Sequence, residues 1–516
     1  MLGFVGSAAG AGLVHQGHRE AVCRRSGPAV VGRRGKRPGV GWRRRGTCLK
    51  AAAEVPRDDV KAPAVSVSPK SNGGQPSGLS STPRFGLSHF AEGLRQDMAR
   101  RAPHYLDDWL CGFKVKSVSA TLFLFFACFA PIVAFGGLTA VLTNGSLGVV
   151  EFILSAGAAG VTYAIFSGQP LTIIGPTGLT LAFTSALYNF CKVVNVAFLP
   201  AYAWTGIWTG GFLMLLALFN CSDVIRHCTR FTDDVFNSLI SVTFVYEAAK
   251  SLIGNFAASG ADKTRPFMAL TVALGTFLMG RFFAEFRKSK YLRRSIRTFL
   301  SDFGPCIAIV TMSAFSCLPF VSAIGLESLR VPAAFALAGG RSLFVDLFAL
   351  PVWARFAAAL PAVLLTCLFF LDQNISVRVV NSSGHKLKKG DSYHLDIFIL
   401  GVINTVLSLM GLPWMCAATV QSLNHIRALA YVNTVTDTND SQPHEVITGV
   451  LETRLTGFLI HALVLSSFVL LPMLRLIPMA VISGLFLFLG RNMMTGNEFL
   501  RRIKLLFVDP RLYPEN

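Results

Sequence analysis

The chain has 516 residues, of which 52% are hydrophobic and 15% are charged, and its mean hydropathy is +0.52. Soluble domains carry about 25% charged residues, so this composition excludes an ordinary soluble protein and indicates several membrane-spanning segments. The net charge of +20 does not indicate a nucleic-acid partner, because residues 1–50 hold eleven Lys and Arg against one acid and supply about half of the excess.

Residues 1–53 have the composition of an organellar targeting sequence. They are rich in Arg, Gly, Ala and Val, contain the single acid Glu20, and end in a run of alanines. A secretory signal would need an apolar core of at least about seven residues, which this stretch lacks. We therefore predict a transit peptide and a plastid envelope location; the alternative is a basic tail on an anionic membrane surface. The sequon at 144–146 would instead fit the secretory route and the plasma membrane.

The rest of the chain divides into a linker and a membrane domain. Residues 54–110 begin with a stretch rich in Pro, Ser and Gly, and we predict a disordered linker there. About 20 apolar residues cross a bilayer as a helix. Windows of that length predict an all-α polytopic domain over residues 111–516, with about twelve spans that start near residues 118, 147, 171, 202, 234, 267, 303, 356, 394, 414, 449 and 473.

The charged loops fit this number of spans. Lys and Arg cluster before the first predicted span, between the sixth and seventh, between the eighth and ninth, and after the twelfth. Short basic loops remain on the cytosolic or stromal side of a membrane. With twelve spans all four clusters fall on that side, together with the N-terminus.

The third and tenth predicted spans are interrupted in the same way. GQPLTIIGPTG at 168–178 and GLPWMCAATVQ at 411–421 each open with Gly-x-Pro and continue with small and hydroxyl residues. Interrupted segments at matching positions in two halves of a membrane protein indicate a transporter site, because unwound backbone and helix N-termini there face a hydrophilic substrate. The sequence therefore predicts a secondary-active carrier with a binding site near the bilayer midplane.

Asp372 is the ionisable residue that most strongly indicates function. It follows an apolar run, and Ser376 lies four residues later, on the same face of the predicted helix. A carboxylate and a hydroxyl suit a small hard cation such as sodium, or a proton. The alternative is that Asp372 lies at a helix end near water with Arg378 as its partner.

The starts of the two interrupted helices are the predicted anion site. Free amide groups and the positive end of the helix dipole favour an anion there. Thr177 and Thr419 add hydroxyl donors, although both residues have an alternative role as helix caps. Gln421 either lines the pocket without adding charge or packs between helices. We predict that the anion-binding residues are Thr177, Gly178, Ala418, Thr419 and Gln421.

Other polar residues indicate structure rather than chemistry. Glu247 and Lys250 are spaced to neutralise each other on one helix, and His425 and His461 are predicted to be hydrogen-bonded packing residues. The eleven cysteines are scattered singly, so they indicate neither a disulfide framework nor a metal cluster. The sequence contains no phosphate loop and no His-Glu-x-x-His pattern, and we predict no enzymatic activity.

Several motifs occur in the order found in one family. Residues from about 111 to 516 resemble the bicarbonate transporter and anion exchanger family, whose borate-exporting relatives occur in plants and fungi. The resemblance depends on FGGL (135–138), GQPLTIIGPTG (168–178), RFTDDVFNSLISVTFVYEAAKSL (230–252), SDFGPCIAIV (301–310), FLDQNI (370–375), KLKKGDSYHLD (386–396) and GLPWMCAATVQSLNH (411–425).

The resemblance implies a fold of fourteen membrane segments in two inverted seven-segment repeats. A core domain moves against a gate domain, and the protein forms a homodimer through the gate. The substrate lies between the starts of helices 3 and 10. Asp372 occupies the acidic position of helix 8, and Ser376, with Thr419, is implied to hold a coupling cation. The chain stops at DPRLYPEN (509–516), before the last two helices of the family, so we expect an incomplete C-terminus.

The resemblance also bears on the substrate. The resemblance implies that sodium-coupled bicarbonate members have Asp at the position of Asp372, as this sequence does. Chloride exchangers have Glu at that position and an arginine at the position of Gln421. QSLNHIRAL (421–429) is similar to borate exporters. The favoured prediction is a carrier of bicarbonate or carbonate coupled to sodium, with no cofactor and no metal beyond that ion. The alternatives are a borate exporter, a chloride/bicarbonate exchanger, or a membrane scaffold that transports nothing.

Overall fold

A computed structural model describes residues 89–507, except 228–229, 259, 261–262, 287–288, 290, 330, 333–334, 436–443, 496 and 506. The predicted transit peptide (1–53), the first part of the predicted linker and the C-terminal DPRLYPEN therefore lie outside the described residues. The helices in this part of the chain are α1 (Glu92–Arg101), α2 (Tyr105–Leu110), α3 (Val115–Leu142), α4 (Val149–Phe166), α5 (Gly178–Val194), α6 (Phe198–Leu218), α7 (Arg230–Ala258), α8 (Thr264–Phe286), α9 (Arg294–Asp302), α10 (Gly304–Ser316), α11 (Pro319–Ser322), α12 (Val352–Ala357), α13 (Ala359–Val380), α14 (His394–Leu409), α15 (Thr419–Leu429), α16 (Arg454–Ser466), α17 (Leu471–Leu474), α18 (Met479–Met494) and α19 (Glu498–Leu505).

Four short strands accompany these helices in two antiparallel pairs. β1 (Ile174–Gly175) pairs with β2 (Cys416–Ala417), and β3 (Ala430–Val435) pairs with β4 (His444–Val450). The first pair lies inside the helical domain and joins the two interrupted segments. The second pair connects α15 to the chain that leads into α16.

Each of the twelve predicted spans corresponds to one helix, namely α3 to α8, α10, α13 to α16 and α18. The all-α polytopic prediction is therefore confirmed. Among the described residues, six helical stretches are long and apolar enough to cross a membrane by themselves: Val115–Leu142, Val149–Phe166, Phe198–Leu218, Thr264–Phe286, Val352–His385 and Arg454–Leu474. α10 and α14 are shorter apolar helices, and α18 with the bent segment after it forms a seventh candidate. α5 and α15 are short because each is the helical half of an interrupted span.

The linker predicted over 54–110 is wrong for its last part. Residues 92–110 form α1 and α2, and the charged side chains of Asp97, Arg101 and Asp108 are almost fully buried. These charges are buried because they are paired: Arg101 Nη2 lies 3.2 Å from Asp108 Oδ2. Residues 92–110 carry as many charges as a solvated segment would. Partners far along the chain neutralise these charges; Lys389, for example, lies 2.7 Å from Asp108.

α4 and α14 occupy equivalent places in the two halves of the chain. Each precedes an extended stretch and a short helix, and each has an acid at its third residue, Glu151 in α4 and Asp396 in α14. Glu151 Oε2 accepts a hydrogen bond from Gly148 N at 3.0 Å. Asp396 Oδ1 accepts one from Gly168 N at 2.6 Å. This correspondence agrees with the predicted inverted repeats.

The helices pack in two groups. α14 lies against α6, α16 against α4, and α13 against both α6 and α15. α18 packs between α7 and α8, and α10 packs on α8. The first group contains both interrupted segments and corresponds to the predicted core domain, and the second corresponds to the gate domain. α5, which follows the first interrupted segment, contacts α7 of the second group.

Candidate functional site

The two interrupted segments lie side by side, as the sequence predicts. Ile174 pairs with Ala417 and Gly175 with Cys416 in the β1–β2 ladder. The ladder is extended by the amide of Ala418, which donates to the carbonyl of Ile173 at 2.8 Å. The Gly and Pro residues break each helix, and the exposed backbone groups of one segment are satisfied by the other. The helix starts that follow are thereby brought to one place.

The helix starts present free amides to this place. α5 begins at Gly178 and α15 at Thr419, and the first amides of any α-helix have no partner inside the helix. Thr177 is the N-cap residue of α5, but its hydroxyl makes no capping bond; Thr180 Oγ1 instead donates to the carbonyl of Thr177 at 2.7 Å. The Thr177 hydroxyl is buried, and the acceptor that faces it is the Asp372 carboxyl. Thr177 therefore occupies the N-cap position of α5 with its hydroxyl directed toward the Asp372 carboxyl.

Asp372 and Ser376 lie on the inner face of α13, at the same place. Their exposed fractions are 4% and 0%. The Asp372 carboxyl faces the hydroxyl of Thr177 and the thiol of Cys416. Ser376 Oγ lies 2.5 Å from Thr419 Oγ1. The alternative that Asp372 lies at a helix end near water is wrong, because α13 continues to Val380 and the side chain is buried.

The remaining predicted anion-site residues lie around these helix starts. Gly178 and Ala418 are buried, Gly178 as the first residue of α5 and Ala418 as the N-cap residue of α15. Thr419 is the first residue of α15 rather than its cap, so its hydroxyl is engaged by Ser376 instead of by its own helix. Gln421 is half-buried in the first turn of α15. The predicted residues therefore form one cluster of hydroxyls, amides and a carboxylate.

The first interrupted segment is held by residues from the second half of the chain. Asp396 Oδ1 accepts hydrogen bonds from Gly168 N at 2.6 Å and from Gln169 N at 3.2 Å. Ser422 Oγ accepts a bond from Ile173 N at 2.9 Å. Sequence reasoning missed both Asp396 and Ser422. Asp396 ends the motif KLKKGDSYHLD, and an acid in the first turn of a predicted membrane helix was the signal that could have identified it.

The second interrupted segment is held by side chains of both halves of the chain. Asn404 Oδ1 accepts from Met415 N at 3.0 Å, and Asn404 Nδ2 donates to Met415 O at 2.9 Å. The Trp414 indole stacks on Tyr202, with ring centroids 3.7 Å apart. Its Nε1 donates to Ser408 Oγ at 2.9 Å. These contacts fix residues 411–418 without a helix, so the extended backbone is a stable part of the core.

The two buried histidines contact the interrupted segments. His425 lies 3.0 Å from Leu171 O through Nδ1 and 2.7 Å from Thr456 Oγ1 through Nε2. His461 lies 2.8 Å from Gly457 O through Nδ1 and 3.0 Å from Ile174 O through Nε2. The prediction that both are hydrogen-bonded packing residues is confirmed by these contacts.

Glu247 does not neutralise Lys250 as the sequence predicted. Glu247 is buried and lines a cavity of about 390 Å³ between α5 and α7. Lys250 is exposed, and its Nζ lies 5.9 Å from the centre of the Tyr246 ring. Among the described residues the two side chains form no ion pair within 4 Å. Their spacing permitted a contact on the helix surface, but the packing of α7 against α5 turns Glu247 inward.

Comparison with known proteins agrees with these features. The family profile described as "HCO3- transporter integral membrane domain" matches residues 89–266 and 257–516. The human sodium-driven chloride bicarbonate exchanger is 31% identical over 497 residues, covering 82% of this chain and 44% of that protein. The human band 3 anion transport protein is 31% identical over 446 residues, covering 82% of this chain and 48% of that protein. The chain thus spans about half the length of the curated relatives that it matches.

Solved structures support the fold. The transmembrane domain of the cyanobacterial bicarbonate transporter BicA superposes with a TM-score of 0.56 at 16% identity, covering 75% of this chain and 90% of that chain. The murine anion transporter Slc26a9 in its inward-facing state superposes with a TM-score of 0.51 at 14% identity, covering 82% of this chain and 68% of that chain. At such identities the likeness concerns the fold alone, which is that of inverted-repeat transporters.

Proposed function

The chain belongs to the bicarbonate transporter family of integral membrane proteins, and on that premise we propose that it is a secondary-active carrier of bicarbonate coupled to sodium. The observation that carries the proposal is the β1–β2 pairing, which brings the N-termini of α5 and α15 together beside Asp372. The curated relatives include proteins named as sodium-driven and as electroneutral sodium bicarbonate exchangers. Enzymatic activity is not part of this proposal, because the family consists of membrane transporters.

The anion would bind between the two helix starts. Bicarbonate is a planar monoanion with oxygen acceptors, and the groups that converge here are donors: amides at the starts of α5 and α15, and the hydroxyl of Thr177, which lies beside Asp372. Gly178, Ala418 and Gln421 complete the rim. The positive ends of two helix dipoles supply charge complementarity without a fixed basic side chain.

The coupling cation would bind on the other side of the same cluster. Asp372 supplies a carboxylate, and the hydroxyls of Ser376 and Thr419 are already 2.5 Å apart. Oxygen ligands of this kind suit a small hard cation. The residues fit sodium as a transported ion rather than a resident metal. Sodium bound there would offset the repulsion between Asp372 and the anion, so each ion would favour the binding of the other.

Transport would require the two helix groups to move relative to each other. The site residues belong to α5, α13 and α15, all in the first group, whereas α7 of the second group closes the cavity beside α5. Movement of one group past the other would expose the site alternately to the two sides of the membrane. The bound ions would move with the core, because all their proposed ligands belong to it.

The test is uptake of radiolabelled bicarbonate into liposomes that contain the purified protein, with sodium or with N-methylglucamine outside. Sodium-stimulated uptake that is lost in Asp372→Asn is the expected result. Glu285→Gln is the control, because Glu285 is exposed on α8 and pairs with Arg281 on the surface. Equal uptake with and without sodium would refute the coupling. Flux of borate alone, or of chloride against bicarbonate without sodium, would replace the substrate assignment.

We also propose the plastid envelope as the membrane of residence, from the composition of residues 1–53. A fluorescent fusion to residues 1–60 is expected to enter isolated plastids and to be shortened there. Retention of the fusion outside plastids, together with delivery of the full chain to the cell surface, would favour the plasma membrane.

A further inference from the structure

The helix α9 has one apolar face and lies at the end of a run of basic residues. The apolar residues recur at the spacing of a single helical face: Ile296, Phe299, Leu300 and Phe303. Residues 287–297 contain six Lys and Arg and no Asp or Glu. A helix with an apolar side and a basic side is typical of segments that lie in the interface of a membrane.

The apolar face of α9 is only partly covered by protein. The exposed fractions of Ile296 and Phe299 are 45% and 54%. Phe299 stacks on Phe303 with ring centroids 4.5 Å apart, and Phe303 contacts Phe126 of α3 with ring centroids 5.8 Å apart. Phe126 is itself exposed, and it belongs to a helix that is long and apolar enough to cross a membrane. The exposed face of α9 is therefore continuous with the exposed face of a candidate membrane span.

The basic side chains next to this face lack counter-charges from the protein. Arg293, the N-cap residue of α9, is exposed and forms no ion pair within 4 Å among the described residues. Arg297 donates to the carbonyl of Ser289, and its Nε is buried without a hydrogen-bond partner in the part of the chain that the structure describes. Glu285, the nearest acid before the run, pairs with Arg281 at 2.9 Å. An anion from outside the chain could therefore bind here without displacing a carboxylate.

We propose that α9 is a binding site for an anionic phospholipid. Arg293 and Arg297 bind the phosphate of the headgroup. Ile296 and Phe299 insert among the acyl chains. A run of four to eight basic residues next to a membrane helix is typical of anionic-lipid recognition, and this run directly follows α8.

Other occupants fit this surface less well. A second copy of the chain packed here about a two-fold axis would bring the same six bases together, and like charges repel. A soluble acidic protein would neutralise the bases, but it would not continue the apolar surface that α9 shares with α3. A lipid supplies both the charge and the apolar chains, and it is already present wherever α3 and α8 cross the membrane.

The lipid would act on the second helix group. α9 packs against α8 and α10, which belong to that group. A lipid held by α9 would therefore attach this group to the bilayer. If the proposed function holds, the core would then move against a group that the membrane restrains. The lipid site itself does not depend on transport and can be tested without it.

The test is lipid retention by the full-length protein in detergent. The protein is mixed with equal amounts of dioleoyl-phosphatidylglycerol and dioleoyl-phosphatidylcholine, and native mass spectrometry measures how much of each stays bound. Wild type is expected to retain phosphatidylglycerol preferentially. Arg293→Gln should weaken its binding about fivefold and Arg293→Gln/Arg297→Gln about 25-fold, as for independent charges near an anionic surface. Lys386→Gln/Lys388→Gln removes two exposed charges from another loop and should change nothing.

Further arms identify what binds. Phe299→Ser should weaken the retention of phosphatidylglycerol, whereas Phe320→Ser, at an exposed site on α11, should not. Glycerol 3-phosphate in excess should fail to displace the lipid, and displacement would overturn the proposal in favour of a free phosphate. Equal retention of the two lipids by wild type would also overturn it. So would loss of dimers without loss of lipid in the arginine variants, which would assign the surface to a second copy. If the double variant fails to fold, Arg293→Gln decides, because Arg293 is exposed.

Discussion

The Asp396 carboxylate and the Gly168 amide, 2.6 Å apart, join the second half of the chain to the start of the first interrupted segment. Asp396 belongs to α14, whose own N-terminus is capped by Asp97 of α1 through the amides of Tyr393 at 3.0 Å and His394 at 2.8 Å. α1 is thus connected in two steps to the backbone that leads to Thr177. Each step satisfies buried amides that lack a partner in their own element.

Replacing Asp396 should lower the stability of the fold more than it changes ion binding at the proposed site. Asp396→Asn keeps an acceptor but removes the charge from two hydrogen bonds, and a bond to a charged group is worth about 1.5–3 kcal/mol. We expect a clear decrease in Tm in detergent, measured by thiol-reactive dye or by static light scattering. Glu285→Gln removes a carboxylate from an exposed pair and should leave Tm unchanged. Equal Tm values for wild type and Asp396→Asn would contradict this role.

The contact between Ser376 and Thr419 predicts that their hydroxyls act as a unit. Ser376→Ala and Thr419→Val should each raise the KM for sodium about tenfold, and the double variant should be little worse than either single one, because each change disrupts the same pair. Sodium-dependent uptake at saturating bicarbonate is the measurement. Additive losses in the double variant would show that the two hydroxyls act independently. Thr271→Val, on the exposed face of α8, is the control.

Gly160 should be intolerant of any side chain. Gly160→Ala places a methyl group 1.8 Å from the His461 ring, so the ring must turn and lose its bond to Ile174 O. The bicarbonate KM should rise, because Ile174 lies three residues before Thr177 in the first interrupted segment. In the NMR spectrum of full-length protein labelled with ¹⁵N-histidine, the signals of the His461 nitrogens should shift, while those of His425 stay in place. Gly211→Ala is the matched control, because a Cβ at Gly211 of α6 meets no atom within 4 Å.

The ion pairs of Lys389 with Asp107 and Asp108 predict a defined pH dependence of stability. Burial alone would lower the pKa of Lys389, but its bonds to Asp107 and Asp108 outweigh burial and raise the pKa above the ordinary 10.5. The contribution of Lys389 is therefore complete below about pH 10.5 and is lost as the pH rises through the raised value. Lys389 in turn lowers the pKa of Asp107 below 3.8, so that contribution is lost as the pH falls through the lowered value.

This dependence can be measured as the difference in Tm between wild type and Lys389→Met across the pH range. The difference should be largest between about pH 5 and pH 10 and should shrink at both extremes. Lys386→Met, in the same loop, should show no such profile. A difference that is constant with pH would mean that Lys389 stabilises the protein through packing rather than charge.

Much of the fold could be predicted from the sequence, because its main signals are local. Apolar windows located the twelve helices that correspond to the predicted spans, and the two Gly-x-Pro stretches located the interruptions. Thr177, Asp372 and Ser376 were identified because polar residues in apolar segments are conspicuous. The structure brings these three together with Thr419 at the predicted place.

What the sequence did not reveal depends on partners far along the chain. Residues 92–110 were predicted to be a linker because their charges looked solvated, whereas Lys389 and Glu452 pair with them across the fold. Glu247 was paired with Lys250 by spacing alone, whereas helix packing decides which way a side chain faces.

The two-residue ladder between β1 and β2 also means that the first interrupted segment is synthesised well before its pairing partner. The backbone at 174–175 finds its partner at 416–417, about 240 residues later in the chain. At 5–20 residues per second, roughly 10–50 s of translation separate the two. Throughout that interval the unpaired amides and carbonyls of the first segment must be kept out of hydrocarbon, where each would cost several kcal/mol. The nascent chain therefore has to remain within the insertion machinery, or beside water, until its second half arrives.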